Sequence, residues 1–384
     1  MTAESAVPGR SALLAVRIGA GLMGIALLCS FWASPDRTVS LPWFALHMVG
    51  VSIVLVVTGP FLNATARRIK AGHMLWFFLA SGYVTLAATL FTSRWPVYKL
   101  SWLNDIYAAL PSIRSLPWWW TQQGLQPNQT GGMLAVCTAF AFAVATHGSV
   151  QARHRWPAAF LTVAGSVGVF MTGSRAALAG LALAVLLVLI VRTVRWLWAW
   201  GAGLLLLVTA LLASGQLARI IDFFIHDETL DTKLVARLDI WTSAIYGVQD
   251  HFFTGIGLGV FNEVMPIRYP YQTVGLTYPV SQAHNLVLDT ALAIGIPGAL
   301  GLVLLVVGLL LLSVPGIREC RSFGAVPLGI LASLVVFLIF GVTDSISLSI
   351  PTSFIIWLWV CALAVLHRAL APGEGHGQRG DSNI

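Results

Sequence analysis

The sequence predicts an all-α fold: a polytopic integral membrane helical bundle of about 10–12 transmembrane helices with one large external loop. Of its 384 residues, 57% are hydrophobic and 10% are charged, whereas soluble domains carry roughly 25% charged residues. Lipid cannot satisfy backbone polar groups, so membrane spans are helices or closed barrels. Apolar runs such as LAGLALAVLLVLIV lack the alternation of a barrel strand, which favours helices.

The apolar runs predict about ten spans, each close to the ~20 residues that a helix needs to cross a bilayer. The first, SALLAVRIGAGLMGIALLCSFW, is too long for the apolar region of a signal peptide and no small-residue cleavage site follows it. We therefore interpret it as a signal anchor. The predicted spans are 13–33, 41–62, 73–92, 130–149, 157–171, 176–191, 196–214, 284–314, 325–343 and 353–369.

Basic residues set the predicted orientation. The positive-inside rule assigns short, Arg-rich loops to the cytoplasm, and this places both termini there. The net charge of +7 is thereby explained by topology, so we expect membrane lipids and no nucleic acid as partners. The loops that carry this signal contain Arg10, Arg67, Arg68, Lys70, Arg153, Arg155, Arg192, Arg195, Arg318, Arg321 and Arg368.

Two external segments stand out, and they divide the chain. Residues 93–129 contain a run of three tryptophans, Trp118 to Trp120, which favours an interfacial helix or an anchoring belt at headgroup level. Residues 215–283 form the larger loop and hold most of the external charge; loops of this length in a compact fold are usually functional. The predicted regions are N-terminal helices over 1–214, the large loop over 215–283, C-terminal helices over 284–371 and a disordered cytoplasmic tail over 372–384.

The motif MTGSRAALAG predicts an anion site at the external surface. Ser174 is a good N-cap for a helix that begins at Arg175. The free N–H groups and the dipole of such a helix end favour an anion, and a guanidinium adds a bidentate phosphate donor. The alternative is an arginine whose side chain extends to the lipid headgroups.

Two further arginines are candidates for the same role. Arg237 lies in KLVARLDIW, where the alternative is an ordinary ion pair on an exposed helix face. Arg268, in MPIRYPYQ, is a weaker candidate. Between them, HFFTGIGLGVF has glycines spaced by two residues, which predicts a close approach of its backbone to another surface. The sequence contains no Cys/His spacing typical of a metal site.

The stretch SQAHNLVLDTALAIGIPG places His284 and Asn285 where an apolar helix begins. Ser281 is a candidate cap for this helix, and Gly295 is expected to end it. A helix N-terminus disfavours imidazolium, so a neutral His284 is a plausible general base; a satisfied structural histidine is the alternative. Asp289, one turn deeper, is an ionisable group at membrane depth, which is either functional or paired with another span.

These motifs together resemble the family of bacterial O-antigen ligases. His284 and Asn285, nine residues, and then Gly295-Ile296-Pro297-Gly298 match the ligase signature. TGSRAAL, ARLDIW and HFFTGIGLGVF are similar to the wider group of ligases, O-antigen polymerases and oligosaccharyltransferases, and LQPNQTGGMLAV, with Asn128, is similar to the polar start of the family's preceding helix. The likeness covers roughly residues 125–300, and the family usually has about twelve spans.

The resemblance implies a glycosyltransferase of the bacterial inner membrane, with its active site facing the periplasm. Such an enzyme moves an O-antigen glycan from undecaprenyl pyrophosphate to a sugar hydroxyl of lipid A–core, without metal or other cofactor and with inversion. His284 would be the catalytic base. Polymerisation of the same lipid-linked donor and protein O-oligosaccharyl transfer remain alternatives, and lipid or glycan transport is a distant one. The implied donor ligands are Arg175, Arg237 and Arg268, with Ser174, Asn128, Asn285 and Asp289 in support.

Overall fold

The computed structural model of the chain describes residues 8–59, 71–93, 103–110, 125–148, 150–193, 230–273, 280–319, 325–346 and 353–370, and the single positions 95, 206, 209 and 348. One isolated β-bridge joins Ser93 and Leu125, and the fold of these ranges is otherwise helical, so the all-α prediction is confirmed. The helices are α1 (Pro8–Ala33), α2 (Arg37–Thr58), α3 (Ala71–Thr92), α4 (Asn104–Ala109), α5 (Pro127–Ala145), α6 (Ala152–Met171), α7 (Arg175–Thr193), α8 (Leu230–Asp250), α9 (Phe261–Arg268), α10 (Leu286–Glu319), α11 (Ala325–Thr343) and α12 (Phe354–Leu370).

Seven of these helices are long and apolar enough to cross a membrane: α1, α2, α3, α5, α7, α10 and α11. α12 contains a shorter apolar stretch, Phe354–Val365. α6 coincides with the span predicted at 157–171, but its polar start, ARHR, lowers its hydropathy. The span predicted at 196–214 lies almost entirely outside the described residues. The chain is thus a multi-pass helical bundle, as its composition predicts.

α5 and α11 occupy the centre of the bundle. In the apolar stretches of α5 and α11, 83% and 72% of the residues are buried, against 28–44% in the other five candidate spans. α5 contacts α3, α6, α7 and α11. The outer helices expose large apolar side chains such as Trp32 and Phe160, as lipid-facing helices do. Polar groups at the ends of α5 and α11 therefore face protein and not lipid.

α1 and α10 pack along each other through small residues. A Cβ added at Gly19 would lie 2.7 Å from the carbonyl oxygen of Gly301, and one at Gly301 would lie 2.8 Å from that of Gly19. Close backbone approach of this kind replaces the hydrophobic effect as a source of helix association in lipid. It fixes α10, the helix on which the candidate site is built.

α10 is broken at Ile294 and Gly295. Gly295 has a φ of 77°, which ends the first helical segment as the sequence predicts. A Cβ at this position would lie 2.5 Å from the carbonyl oxygen of Phe253, so glycine is needed both for the left-handed backbone and for the space.

The glycine-rich loop that follows α8 fills the break. The N–H of Ile256 donates to the carbonyl of Leu292 at 2.7 Å, which satisfies a backbone group that the broken helix leaves free. Gly255 has a φ of +66°, and a Cβ there would lie 2.5 Å from the carbonyl carbon of Ala293. The predicted close approach of this loop to another backbone is therefore confirmed.

We expect Gly255→Ala to destabilise the protein. Alanine with a left-handed backbone costs roughly 1–2 kcal/mol before any clash is counted. Gly21→Ala is the matched control, because nothing lies within 4 Å of a Cβ at Gly21. Thermal unfolding in detergent should show a lower midpoint for Gly255→Ala and an unchanged or higher one for Gly21→Ala; equal midpoints would contradict the assigned contact.

The two segments predicted to be external contain helices. α4 lies in the segment predicted to be interfacial, where Trp95 stacks on Tyr107 with ring centroids 5.4 Å apart. The hydroxyl of Tyr107 donates to the carbonyl of Met171 at 2.7 Å, which joins this segment to the end of α6. Trp118 to Trp120 lie outside the described residues, as does the tail 372–384. The large loop predicted at 215–283 holds α8 and α9.

Candidate active site

Asn285 is the N-cap of α10. Its side-chain oxygen accepts hydrogen bonds from the N–H groups of Val287 and Leu288, both at 3.1 Å. The predicted cap at Ser281 is therefore wrong, and the helix starts at Leu286. Serine and asparagine are equally good caps, so local preference alone does not place the start of the helix.

The cap yields a stability prediction. Asn285→Ala should lower the free energy of unfolding by about 1 kcal/mol, because two N–H groups at the helix start lose their acceptor. Asn285→Asp keeps the acceptor oxygen and is the matched comparison. It loses only the bond that the Asn285 amide donates to the carbonyl of Val342 at 3.2 Å. Thermal unfolding in detergent measures the difference, and an Asn285→Ala protein as stable as Asn285→Asp would exclude this capping role.

His284 precedes the cap and has a left-handed backbone. Its φ of 51° makes it the one non-glycine residue with positive φ in the described part of the chain. The turn is held because the N–H of Ala283 donates to Oδ1 of Asp289 at 3.1 Å. A strained backbone at a polar residue is a reason to suspect a functional position.

The imidazole of His284 faces the carboxylate of Asp344, the residue that follows α11. Nδ1 of His284 lies 3.3 Å from Oδ1 of Asp344. The side chain of His284 is 29% exposed and that of Asp344 is 2% exposed. An ionised carboxylate only accepts hydrogen bonds, so it favours the tautomer with N–H at Nδ1 and leaves a lone pair on Nε2. The arrangement presents Nε2 as a basic nitrogen.

Other donors surround the Asp344 carboxylate. Oδ1 also accepts from the N–H of Ser345 at 2.9 Å and from the Gln282 amide at 2.5 Å. The Asn128 amide, in the first turn of α5, donates to Oδ2 at 3.0 Å. Because a carboxylate that accepts several hydrogen bonds is stabilised in its ionised form, Asp344 is suited to remain charged although it is buried.

The electrostatic surroundings of Asp344 agree with this. Burial acts to raise the pKa of Asp344, but the hydrogen bond and charge of His284, the N–H of Ser345 and the charge of Arg237 outweigh it, and the pKa lies below its ordinary value. Arg237 is half-buried on α8. The structure therefore brings the positive charge of Arg237 within electrostatic range of the His284–Asp344 pair.

A buried polar chain extends from this pair into the bundle. The Gln129 amide of α5 donates to Oε1 of Gln282 at 2.5 Å. Oγ of Ser345 lies 2.9 Å from the same oxygen and 3.1 Å from Oδ2 of Asp289. Each of these four residues is less than 10% exposed. The chain connects the starts of α5 and α10 with the end of α11.

The TGSR motif forms the turn before α7, as predicted. Ser174 caps the helix, since its Oγ accepts from the N–H of Ala177 at 3.4 Å. A Cβ added at Gly131 of α5 would lie 3.3 Å from Cβ of Ser174, so this turn packs against the first turns of α5. Arg175 is half-buried at the first position of α7. The starts of α5 and α7 are therefore neighbours.

Arg268 occupies a different position. It is exposed at the end of α9, where its charge acts on Tyr269. Burial and the neighbouring Asp250 raise the pKa of the Tyr269 hydroxyl to about 12, against which Arg268 acts weakly. The described contacts thus place Arg268 beside Tyr269 and do not bring it to His284.

The starts of α5, α7 and α10 make the site favourable for an anion. Asn128, Ser174 and Asn285 mark these three helix starts, and the partial positive charge of each adds to that of nearby arginines. An apolar cavity of about 80 Å³ has Leu286 and Thr290 of α10 in its wall. Within the ranges that the structure describes, no group of three His, Cys, Asp or Glu side chains could hold a metal ion.

Local sequence motifs did not reveal the partners of His284. Asp344 lies 60 positions further along the chain, and Ser345 belongs to no motif. Gln129 lies in LQPNQTGGMLAV, but the motif draws attention to Asn128 and not to Gln129. One feature of the sequence does point to Asp344: it is an aspartate at the end of an apolar span. Ionisable groups at membrane depth are usually functional.

Part of the chain is similar to a known protein family. Residues 157–303 match the family model described as O-antigen ligase. The matched range contains Arg175, Arg237, Arg268, His284 and Asp289, whereas Asn128 and Asp344 lie outside it. No curated protein shows significant similarity to the chain.

Proposed function

We propose that the chain is an O-antigen ligase of the O-antigen ligase/polymerase superfamily of glycosyltransferase-like enzymes, a proposal supported by the match of residues 157–303 to the family model described as O-antigen ligase. It transfers an O-antigen glycan from undecaprenyl pyrophosphate to a sugar hydroxyl of lipid A–core. The reaction takes place on the periplasmic face of the bacterial inner membrane. The observation that carries the proposal is the 3.3 Å contact between Nδ1 of His284 and the buried carboxylate of Asp344.

His284 is the general base of the proposed reaction. Nε2 removes the proton of the acceptor hydroxyl as the oxygen attacks the anomeric carbon of the donor. The bond from that carbon to the pyrophosphate oxygen breaks in the same step, and the pyrophosphate leaves with the electron pair. One displacement inverts the anomeric configuration. Asp344 keeps the N–H on Nδ1 and stabilises the imidazolium that forms, without taking the proton itself.

Arg175 and Arg237 are the proposed ligands of the pyrophosphate. Negative charge grows on the leaving group, and preorganised positive groups stabilise that charge most in a site shielded from water. The helix starts marked by Asn128, Ser174 and Asn285 add to this field. Arg268, exposed and beside Tyr269, is the weakest of the three arginine candidates. In this mechanism the positive charge comes from the protein, so transfer is metal-independent.

Complementation tests the proposal. The chain is expressed in a strain that makes the lipid-linked glycan and lipid A–core but lacks its own ligase, and lipopolysaccharide is separated on a gel. We expect a ladder of long-chain forms attached to lipid A–core. In membranes of that strain, transfer should persist in the presence of a chelator.

A second strain, which lacks the polymerase instead, distinguishes the related reactions. Lengthening of the lipid-linked glycan there, with no attachment to lipid A–core in the first strain, would identify a polymerase and reject ligation. Glycan found on periplasmic protein would identify a protein oligosaccharyltransferase. In both strains the amount of protein in the membrane is compared by immunoblot.

A further inference from the structure

We propose that Phe252 and Phe253 form a membrane anchor, whose rings insert among the acyl chains of the leaflet on the side of the candidate site. The segment predicted to be external, 215–283, thus returns to the lipid at its middle and does not lie wholly outside the bilayer. This placement does not depend on the proposed reaction.

The two phenylalanines are adjacent and exposed. They follow α8, in the glycine-rich loop that fills the break of α10. Phe252 is 46% exposed and Phe253 is 71% exposed, and their rings meet edge to face with centroids 4.9 Å apart. Exposed apolar rings are unfavourable in water, and a patch of them is typical of a surface that contacts a membrane or another protein. The level of the pair along the spans favours lipid as the partner.

Backbone contacts fix this level along α10. The N–H of Ile296 donates to the carbonyl of Phe252 at 2.8 Å. A Cβ added at Gly295 would lie 2.5 Å from the carbonyl oxygen of Phe253. Both contacted residues lie within Leu286–Ser313, an apolar stretch long enough to cross a membrane. The backbone of the pair is therefore level with the inside of a candidate span and not with its end.

α1 gives a second measure of the same level, because it runs antiparallel to α10. Oγ of Ser30 donates to the carbonyl of Ala293 at 2.7 Å, and a Cβ added at Gly298 would lie 3.2 Å from Cβ of Ala26. Leu28 is midway between these two α1 residues. It is therefore level with the break of α10 and with the phenylalanine pair.

Leu28 lies below the headgroups on the outside of a candidate span. It is 51% exposed and stands five residues before the end of α1 at Ala33, or roughly 8 Å along the helix axis. Trp32, 73% exposed, is one turn nearer that end, and indoles favour the headgroup level. Phe252 and Phe253 are thus at the depth of the upper acyl chains.

The residues before the pair suit the boundary between headgroups and acyl chains. Tyr246, on the last two turns of α8, is exposed, and its amphipathic ring is typical of a membrane interface. Asp250 is also exposed and accepts from the hydroxyl of Tyr269 at 2.8 Å; its carboxylate needs water or headgroups nearby. The end of α8 therefore lies at headgroup level, and the two rings enter the lipid below it.

The anchor restricts the helix that carries Arg237. The charge of Arg237 acts on Asp344, and α8 joins this arginine to the phenylalanine pair. Movement of the end of α8 would withdraw two apolar rings from lipid, which is unfavourable. Lipid contact at the pair thus helps to hold α8 in place beside the candidate site.

Spin-label accessibility in phospholipid bilayers tests the depth of the pair. The full chain carries Cys29→Ser and Cys320→Ser, and a nitroxide is attached to Phe253→Cys. Matching labels are placed at Leu28→Cys, the lipid-facing reference at the same level, and at Glu263→Cys, an exposed charged position on α9. Collisions with oxygen, which concentrates in hydrocarbon, and with a water-soluble nickel chelate are measured by electron paramagnetic resonance. The same background without an added cysteine gives the residual signal.

We expect the oxygen-to-nickel collision ratio of Phe253→Cys to match that of Leu28→Cys and to exceed that of Glu263→Cys. A ratio equal to that of Glu263→Cys would show that the pair faces water and would overturn the anchor. Low collision rates with both reagents would show that protein covers the pair, which overturns it as well. Thermal unfolding in the same bilayers checks that each variant is folded, and Phe252→Cys is the second probe if a label at 253 unfolds the chain.

Discussion

Replacing His284 with alanine should lower the rate of glycan transfer by about 10²–10⁴-fold, the usual contribution of a general base. Binding of the lipid-linked donor should change little, because the proposed pyrophosphate ligands, Arg175 and Arg237, remain. The loss should therefore appear in kcat and not in the donor KM. His284→Gln should be equally slow, since an amide can form hydrogen bonds but cannot take up the proton.

A second histidine provides the control. His251, at the end of α8, lies in the same predicted external region and has no part in the proposed reaction, so His251→Ala should keep wild-type transfer. Each variant is reconstituted in lipid, and single-turnover transfer from radiolabelled donor is measured alongside thermal unfolding. Near-normal transfer by a folded His284→Ala protein would remove His284 from the mechanism and leave proximity and charge stabilisation as the sources of catalysis.

The sequence predicted those features of the fold that depend on neighbouring residues. The cap at Ser174, the break of α10 at Gly295 and the close approach of the Gly255 loop each follow from local backbone chemistry, and the structure confirms them. Hydropathy likewise located the seven described helices that are long and apolar enough to cross a membrane, because each span must satisfy its own backbone groups in lipid.

The start of α10 shows where local reasoning fails. Ser281 and Asn285 are both good caps, so propensity alone does not choose between them. The choice follows from contacts distant in sequence: Gln282 bonds to Gln129 and Asp344, and this holds residues 281–285 outside the helix. As a result, His284 stands on a strained turn and not in the first turn of the helix.

Local motifs likewise did not predict which residues come together in the candidate site. Resemblance predicted roles for His284 and the arginines, but the contact of Asp344 with His284 forms only when α11 packs against α5 and α10. Arg268, grouped by its sequence neighbourhood with Arg175 and Arg237, lies beside Tyr269 at the end of α9. A charge in a long loop is a weak guide to position, because the loop's own helices determine which way it faces.

Asp344→Asn should reduce transfer nearly as much as loss of His284, by up to about 10⁴-fold, as is seen when the carboxylate of a catalytic triad becomes an amide. An asparagine can turn its N–H toward Nδ1 of His284, which then becomes the acceptor and places the proton on Nε2. Nε2 then has no free lone pair with which to remove the proton of the acceptor hydroxyl. The charge that stabilises the imidazolium is lost as well.

The loss of stability at acidic pH tests the charge of Asp344 without an activity assay. Since the pKa of folded Asp344 lies below its ordinary value, its contribution to stability is present above the pKa of the unfolded chain and is lost as pH falls through the folded value. Wild type should therefore lose stability on acidification, and Asp344→Asn should lack that component. Asp250→Asn, which changes an exposed carboxylate that accepts from Tyr269, should keep both the wild-type profile and wild-type transfer. An Asp344→Asn protein that transfers glycan normally would show that His284 does not need a charged partner. The site would then depend on the hydrogen bonds that hold the turn and not on the carboxylate charge.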